Sequence, residues 1–74
     1  MFLKIIKAEY INDYCIKVLF NDGLEKIIDL KNELYGTVFE PLKELNIFKN
    51  FHINCNTISW QNGADFAPEY LYEL

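Results

Sequence analysis

A chain of 74 residues has room for one domain, and its hydrophobic content of 51% favours a folded core over disorder. The net charge is −4 and every basic side chain is a lysine, which argues against autonomous binding to nucleic acid and suits a basic protein partner. Only two cysteines are present, the first ten residues lack the apolar core and cleavage site typical of a signal peptide, and no apolar run approaches transmembrane length. We therefore expect a reduced, cytoplasmic protein that is not inserted in a membrane.

The first thirty residues predict three antiparallel strands in a meander. A loop over residues 11–13 would pair Ala8 with Ile16 and Ile6 with Val18. A slip of one residue would bring charged side chains to the buried face, so this register is favoured.

The Asp-Gly step at residues 22–23 predicts the second hairpin turn, because glycine adopts the positive φ that such turns need. A three-residue loop there would pair Phe20 with Leu24 and Ile16 with Ile28. The next pair along the ladder would be Tyr14 with Leu30.

One face of the predicted sheet is apolar and is assigned to the core: Ile6, Ala8, Tyr10, Tyr14, Ile16, Val18, Phe20, Leu24, Ile28 and Leu30. The opposite face mixes apolar with charged side chains: Leu3, Ile5, Leu19 and Ile27 among Lys7, Glu9, Lys17, Glu25 and Asp29. Either a loop or helix of the chain covers this partial apolar stripe, or the stripe is an association surface for a partner or a second copy.

The second half of the chain predicts short elements. One helical turn is expected near Asn32–Tyr35, and a short helix from Pro41 to about Asn46, with proline at its first position. A tight turn at residues 55–56 predicts a second hairpin that pairs Ile53 with Ile58, Phe51 with Trp60 and His52 with Ser59.

A short C-terminal helix is expected to open at Ala67-Pro68. Its apolar face would be Phe66, Ala67, Tyr70, Leu71 and Leu74, with Glu69, Tyr72 and Glu73 outward. The predicted fold is a single α+β domain over residues 1–74: a three-stranded antiparallel meander, a second β-hairpin, a short middle helix and a short C-terminal helix.

Residues that could carry chemistry are few. His52 and Cys55, with Cys15 as the other soft ligand, are too few for a metal site. Ser59 opposite His52 has no evident oxyanion-stabilising loop. Cys15 would lie across from Asp29, whose charge raises a thiol pKa. We expect no metal, no cofactor and no nucleophilic catalysis.

Two carboxylates near the C-terminus, Asp65 and Glu69, raise the question of acid–base chemistry. They flank Pro68, where the exposed N–H groups of a helix start favour negative charge. A structural role is therefore favoured over an active site.

Three segments together resemble the bacterial family called domain of unknown function 2442: VLFNDGLEKIIDL, FEPLKELNIFKNFHI and ISWQNGADFAPEYLYE. The matching positions are Phe20, Asp22, Gly23, Asp29, Leu30, Phe39, Leu42, Phe48, Trp60, Asn62, Gly63, Asp65, Pro68, Glu69 and Leu71. The resemblance implies a compact α+β domain. Some members of that family carry an added helix-turn-helix domain, which is absent from this sequence. Others are encoded beside a small protein in an arrangement like that of toxin–antitoxin pairs, so the resemblance implies a protein partner of this kind.

The leading functional hypothesis is a protein-binding module, antitoxin-like towards a small basic toxin encoded beside it. Its predicted contacts are Leu3, Ile5, Leu19 and Ile27, with Glu25 and Asp29 as a charged rim. The alternative is an accessory subunit of a transcriptional regulator that reaches DNA through its partner. A third is a small enzyme that uses Asp65, Glu69 or His52. The exposed edge of the Trp-x-Asn-Gly-x-Asp segment is a further candidate for binding.

Overall fold

The computed structural model describes residues 2–74. The strands are β1 (Ile5–Asn12), β2 (Cys15–Phe20), β3 (Glu25–Asp29), β4 (His52–Asn54) and β5 (Thr57–Ser59). Two 3-10 turns cover Lys31–Glu33 and Glu40–Lys43, and the α-helices are α1 (Leu45–Phe48) and α2 (Pro68–Glu73). Strands β1–β2–β3 form an antiparallel meander and β4–β5 a separate hairpin. The predicted α+β fold is confirmed.

The register of β1 against β2 differs from the prediction by two residues. Ala8 pairs with Val18 and Tyr10 with Ile16. Asp13 adopts φ 43°, which allows a tighter turn than the predicted loop. Because the shift is even, Ala8 and Tyr10 keep their predicted face. The extra residue is taken up by a bulge between Tyr10 and Asn12.

A second bulge, at Ile6, reverses the prediction for the start of β1. Ile5 pairs with Phe20 and Lys7 with Leu19, so Ile6 is the extra residue of β1. Ile5 is 1% exposed and Ile6 is 53% exposed. The predictions that Ile6 faces the core and that Ile5 lies on the outer face are therefore wrong.

Hydrogen bonds to the backbone of residues 2–5 account for this bulge. The side chain of Asn21 donates to the carbonyl oxygen of Phe2 and accepts from the N–H of Lys4. The N–H of Ile5 donates to the carbonyl oxygen of Asn56 at 2.8 Å. These bonds fix the segment before the bulge independently of the β1–β2 ladder.

The hairpin of β2 and β3 has the predicted register. Ile16 pairs with Ile28, and the N–H of Phe20 donates to the carbonyl oxygen of Leu24 at 2.8 Å. Gly23 closes the turn with φ 93°. Leu24, however, is 38% exposed and so lies outside the core.

Helices, loops and the second hairpin pack against the inner face of the meander. Aromatic rings dominate this contact: Phe48 lies 5.2 Å from Tyr14 and 5.7 Å from Trp60, measured between ring centroids. The buried residues are Ile5, Ile16, Val18, Phe20, Ile28, Leu30, Leu34, Leu42, Phe48, Ile58, Trp60, Ala64, Phe66 and Leu71.

The predicted middle helix is divided into two parts. The 3-10 turn at Glu40–Lys43 ends at Glu44, whose ψ of 115° is extended, and α1 follows directly. The side chain of Glu44 accepts the N–H of Asn46 and so starts α1. The 3-10 turn at Lys31–Glu33 lies close to the predicted helical turn.

Helix α2 docks on the sheet in a different orientation from the prediction. Tyr72, predicted to point outward, is half-buried, and its ring meets that of Phe20 at 4.9 Å. Ala67, Tyr70 and Leu74 are exposed, which leaves Phe66 and Leu71 as the buried members of the predicted apolar face. The error arises because a helix of six residues is oriented by its partners rather than by its own periodicity.

One of those partners, Asp22, gives a prediction for pH dependence. The backbone N–H of Leu24 and the hydroxyl of Tyr72, at 2.7 Å, bind its carboxylate and hold its pKa below the ordinary value. Its contribution to stability is therefore present above that ordinary value and is lost as the pH falls through the folded-state pKa. The free energies of unfolding of wild type and Asp22→Asn, measured in urea, should differ at pH 7, and the difference should shrink as the pH falls through the folded-state pKa of Asp22. In a Tyr72→Phe background, Asp22→Asn should change the free energy of unfolding less. A change in that free energy that does not depend on pH would contradict this account.

Candidate functional site

Three polar residues of the family motif serve as turn formers. Asp22, Asp29 and Asn62 each accept a hydrogen bond from the backbone N–H two residues later, at 2.9, 3.0 and 3.1 Å. This contact mimics a backbone turn and explains the residue type at all three positions.

The Trp-x-Asn-Gly-x-Asp segment joins separate parts of the fold. The indole N–H of Trp60 donates to the carbonyl oxygen of Phe48 at 2.7 Å, and the amide of Asn62 donates to that of Val38 at 2.9 Å. Gly63 has φ 91°, a conformation that side chains disfavour. The segment therefore fixes the end of β5 against α1 and the loop before the second 3-10 turn.

The remaining motif residues lie around the start of α2. Pro68 occupies the first helical position, Leu71 is buried, and Glu69 is an exposed acid of the first turn. Asp65 is exposed and its backbone forms a bridge with Ser59. Neither acid caps the helix through its side chain. Asp65 lies two residues before the N-cap residue Ala67.

The predicted pairing of His52 with Ser59 is confirmed. On its other side Ser59 pairs with Asp65, so the three residues lie side by side in the order His52, Ser59, Asp65. In a nucleophilic triad the histidine must lie between the serine and the acid. Ser59 is 7% exposed, and its hydroxyl donates to the carbonyl oxygen of Asn54 at 3.5 Å. This order of residues is not that of a triad.

Cysteine chemistry is disfavoured at Cys15, which pairs with Asp29 as predicted. Burial raises the pKa of the Cys15 thiol, and the nearby carboxylates of Asp29 and Asp13 raise it further. Within residues 2–74, no three His, Cys, Asp or Glu side chains are grouped closely enough to hold a metal ion.

The outer face of the meander is open to solvent. Rows of directly paired residues cross it: Lys7, Leu19 and Glu25 form one, and Glu9, Lys17 and Ile27 the next. Ile27 is 59% exposed and Leu19 is half-buried. An ion pair links Lys17 to Glu25 at 3.9 Å. Among the described residues, no helix or loop shields the exposed side chain of Ile27.

Two of the four predicted apolar contacts remain on this face. Leu19 and Ile27 lie there, with Glu25 and Asp29 exposed on β3. Leu3 instead packs against the core cluster, and Ile5 is inside it. We use the name outer face for the set Lys7, Glu9, Lys17, Leu19, Glu25, Ile27 and Asp29.

The structure has two further grooves, the first along the Trp-x-Asn-Gly-x-Asp segment that the sequence had indicated as a candidate for binding, the second not predicted. One, of about 430 Å³, is lined by Pro41, Ile47, Asn50, Trp60, Gln61 and Asn62. The other, of about 330 Å³, is lined by Glu33, Tyr35, Phe39, Asp65, Phe66, Ala67 and Tyr70. In the second, the hydroxyl of Tyr70 donates to Glu33, which raises the pKa of Tyr70 to about 12. Both combine residues that are distant in sequence, so no local pattern indicated their complete lining.

Comparison with known proteins identifies the family. A family model described as a protein of unknown function, DUF2442, matches residues 5–74. Neither a curated protein nor a solved structure matches the chain. Within the described residues, no helix has the length and apolar character to cross a membrane. The chain belongs to the domain of unknown function 2442 family.

Proposed function

We propose that this protein is a protein-binding module whose contact surface is the outer face. The observation that supports it is the exposure of Ile27, with half-buried Leu19 beside it, on the face of the sheet that does not pack against the core. Apolar side chains grouped on an exposed sheet and rimmed by charge are typical of an association surface.

The charge at the β3 border of the outer face, where both charged side chains are acidic, indicates the kind of partner. Glu25 and Asp29 form its rim on β3, and the chain carries a net charge of −4. A partner with a basic surface would be steered to this rim and oriented by it. An antitoxin-like role towards a small basic protein is the specific form of this proposal.

The outer face is too small to form a stable protein interface alone. Three strands about 4.8 Å apart and about 20 Å long give a projected area of roughly 300 Å². A stable interface buries about 800 Å² on each partner. A stably bound partner must therefore also contact surface beyond this face.

Affinity capture from cells of the source organism tests this function. Tagged wild type should retain a basic protein, and Ile27→Glu should retain at least about tenfold less of it, because the variant replaces an apolar contact with a carboxylate that binding would have to desolvate. Leu19→Glu should have the same effect. Ile53→Glu is the matched control, since Ile53 is 42% exposed on the other hairpin.

Size-exclusion chromatography of each captured sample then shows whether a stoichiometric complex has formed. Thermal unfolding confirms that the variants are folded. A wild-type chain that elutes alone as a monomer, or equal capture by Ile27→Glu and Ile53→Glu, would contradict the proposal.

A further inference from the structure

The geometry points to strand addition: the partner pairs an extended basic segment, antiparallel, with the free edge of β3. This inference rests on the proposed function and names how the partner binds and what chemistry it carries.

Strand β3 is the open border of the meander. The strand order β1–β2–β3 leaves it with one neighbour among residues 2–74. The opposite border is partly occupied, because the N–H of Ile5 donates to the carbonyl oxygen of Asn56 in the turn of the second hairpin. An extended peptide therefore has β3 as its accessible template.

The ladder with β2 determines which backbone groups of β3 are available. The N–H of Phe20 donates to the carbonyl oxygen of Leu24, and the N–H of Leu30 donates to that of Tyr14. Backbone bonds alternate along an antiparallel strand, so the even-numbered residues of β3 face β2. The N–H and C=O groups of Glu25, Ile27 and Asp29 consequently point away from the sheet.

Charges on β3 disfavour pairing with a second copy of itself. Antiparallel self-pairing centred on Ile27 would set Glu25 opposite Asp29 twice. Centring on Lys26 would set two lysines opposite each other. Like charges directly opposite are destabilising, so this edge discriminates against its own sequence.

The same charges define a complementary strand. Residues opposite Glu25, Ile27 and Asp29 would share the outer face with them. The best match is a basic residue, an apolar residue and a second basic residue at alternate positions. Such a strand would also enlarge the apolar stripe at Ile27.

The inner side of the edge is compatible with an added strand. The ammonium of Lys26 is held by the carbonyl oxygens of Tyr72 and Leu74, both at 2.9 Å, so its charge is directed to the end of α2. Leu74 is 45% exposed and Leu24 is 38% exposed near this edge. These side chains offer apolar contacts to the inner residues of the strand.

A tethered strand tests the edge directly. The contact of Lys26 with Leu74 places the end of α2 beside β3. A linker of about ten Gly and Ser residues after Leu74 spans about 17 Å and supplies the strand at millimolar effective concentration. The probe is Thr-Thr-Lys-Thr-Val-Thr-Lys-Thr-Thr. The control fusion carries glutamate in place of both lysines.

Amide hydrogen exchange at Glu25, Ile27 and Asp29 is the readout. The basic strand should slow exchange at these three amides at least about tenfold relative to the acidic strand. Ile27→Pro in the basic fusion should abolish the protection. It removes an outward N–H and leaves the bonds to β2 intact, as edge strands tolerate. Equal exchange in the two fusions would overturn strand addition, whether or not the proline variant folds.

The same substitutions separate this inference from the proposed function. Ile27→Thr keeps the outward N–H and loses the apolar side chain, whereas Ile27→Pro loses the N–H and replaces the side chain by a small apolar ring. Strand addition predicts that capture of the basic partner is lost in Ile27→Pro and only weakened in Ile27→Thr. Capture that survives Ile27→Pro but fails in Ile27→Glu would refute strand addition and leave the outer-face function standing.

Discussion

Ile5→Ala is expected to lower the free energy of unfolding by about 2–5 kcal/mol, whereas Ile6→Ala should change it by about 0.5 kcal/mol or less. Ile5 is 1% exposed and opposes Phe20, so truncating it leaves a cavity in the core. Ile6 is 53% exposed and projects from the bulge.

Urea unfolding followed by tryptophan fluorescence measures both changes, and the two variants are controls for each other because the deleted atoms are the same. Simple alternation along β1 predicts the reverse order. A larger loss for Ile6→Ala would show that the bulge is absent.

Trp60→Ala should cost about 3–5 kcal/mol, close to the whole stability that a core of this size supplies. Trp60 is 3% exposed, and its ring lies against Phe48, Phe51 and Phe66 at 5.7, 6.4 and 6.0 Å between centroids. Loss of the indole would uncouple the second hairpin from α1. The variant should be largely unfolded at 25 °C by circular dichroism.

Trp60→Phe separates the hydrogen bond from the packing. It keeps an aromatic ring and removes the N–H that donates to the carbonyl oxygen of Phe48, which leaves a buried acceptor unpaired at a cost of about 1–3 kcal/mol. Phe2→Ala is the control, because Phe2 is 85% exposed. Stability of Trp60→Phe equal to wild type would show that the indole N–H has no structural role.

Two of the three hairpin turns, at Gly23 and at Cys55-Asn56, were the part of the fold most readily predicted. Gly23 and the pair Cys55-Asn56 adopt positive φ, and both hairpins have the register that these turns impose. Local residue preferences decide such turns, so the sequence alone suffices for them.

The bulge at Ile6 was not predicted because distant contacts decide it. The hydrogen bonds from Asn21 to Phe2 and from Ile5 to Asn56 join residues that are far apart in the sequence. The orientation of Tyr72 has the same origin, since Asp22 and Phe20 fix it from the other end of the chain. Periodicity carries no information about such partners.

The candidate surface was predicted in part. Alternation correctly placed Leu19 and Ile27 opposite the core face, and the rim of Glu25 and Asp29 with them. It could not show that Ile5 turns inward. Nor could it show that β3 is the open edge, because strand order depends on tertiary contacts.

Amide exchange on the captured complex tests the central claim most directly. Exchange rates of the free chain and of the chain with its partner should differ at Lys17, Leu19 and the outward amides of β3, and should be unchanged at Gln61 and Asn62 beside the Trp60 groove. Protection confined to that groove, with residues 17–29 unaltered, would contradict the assignment of the outer face as the binding surface.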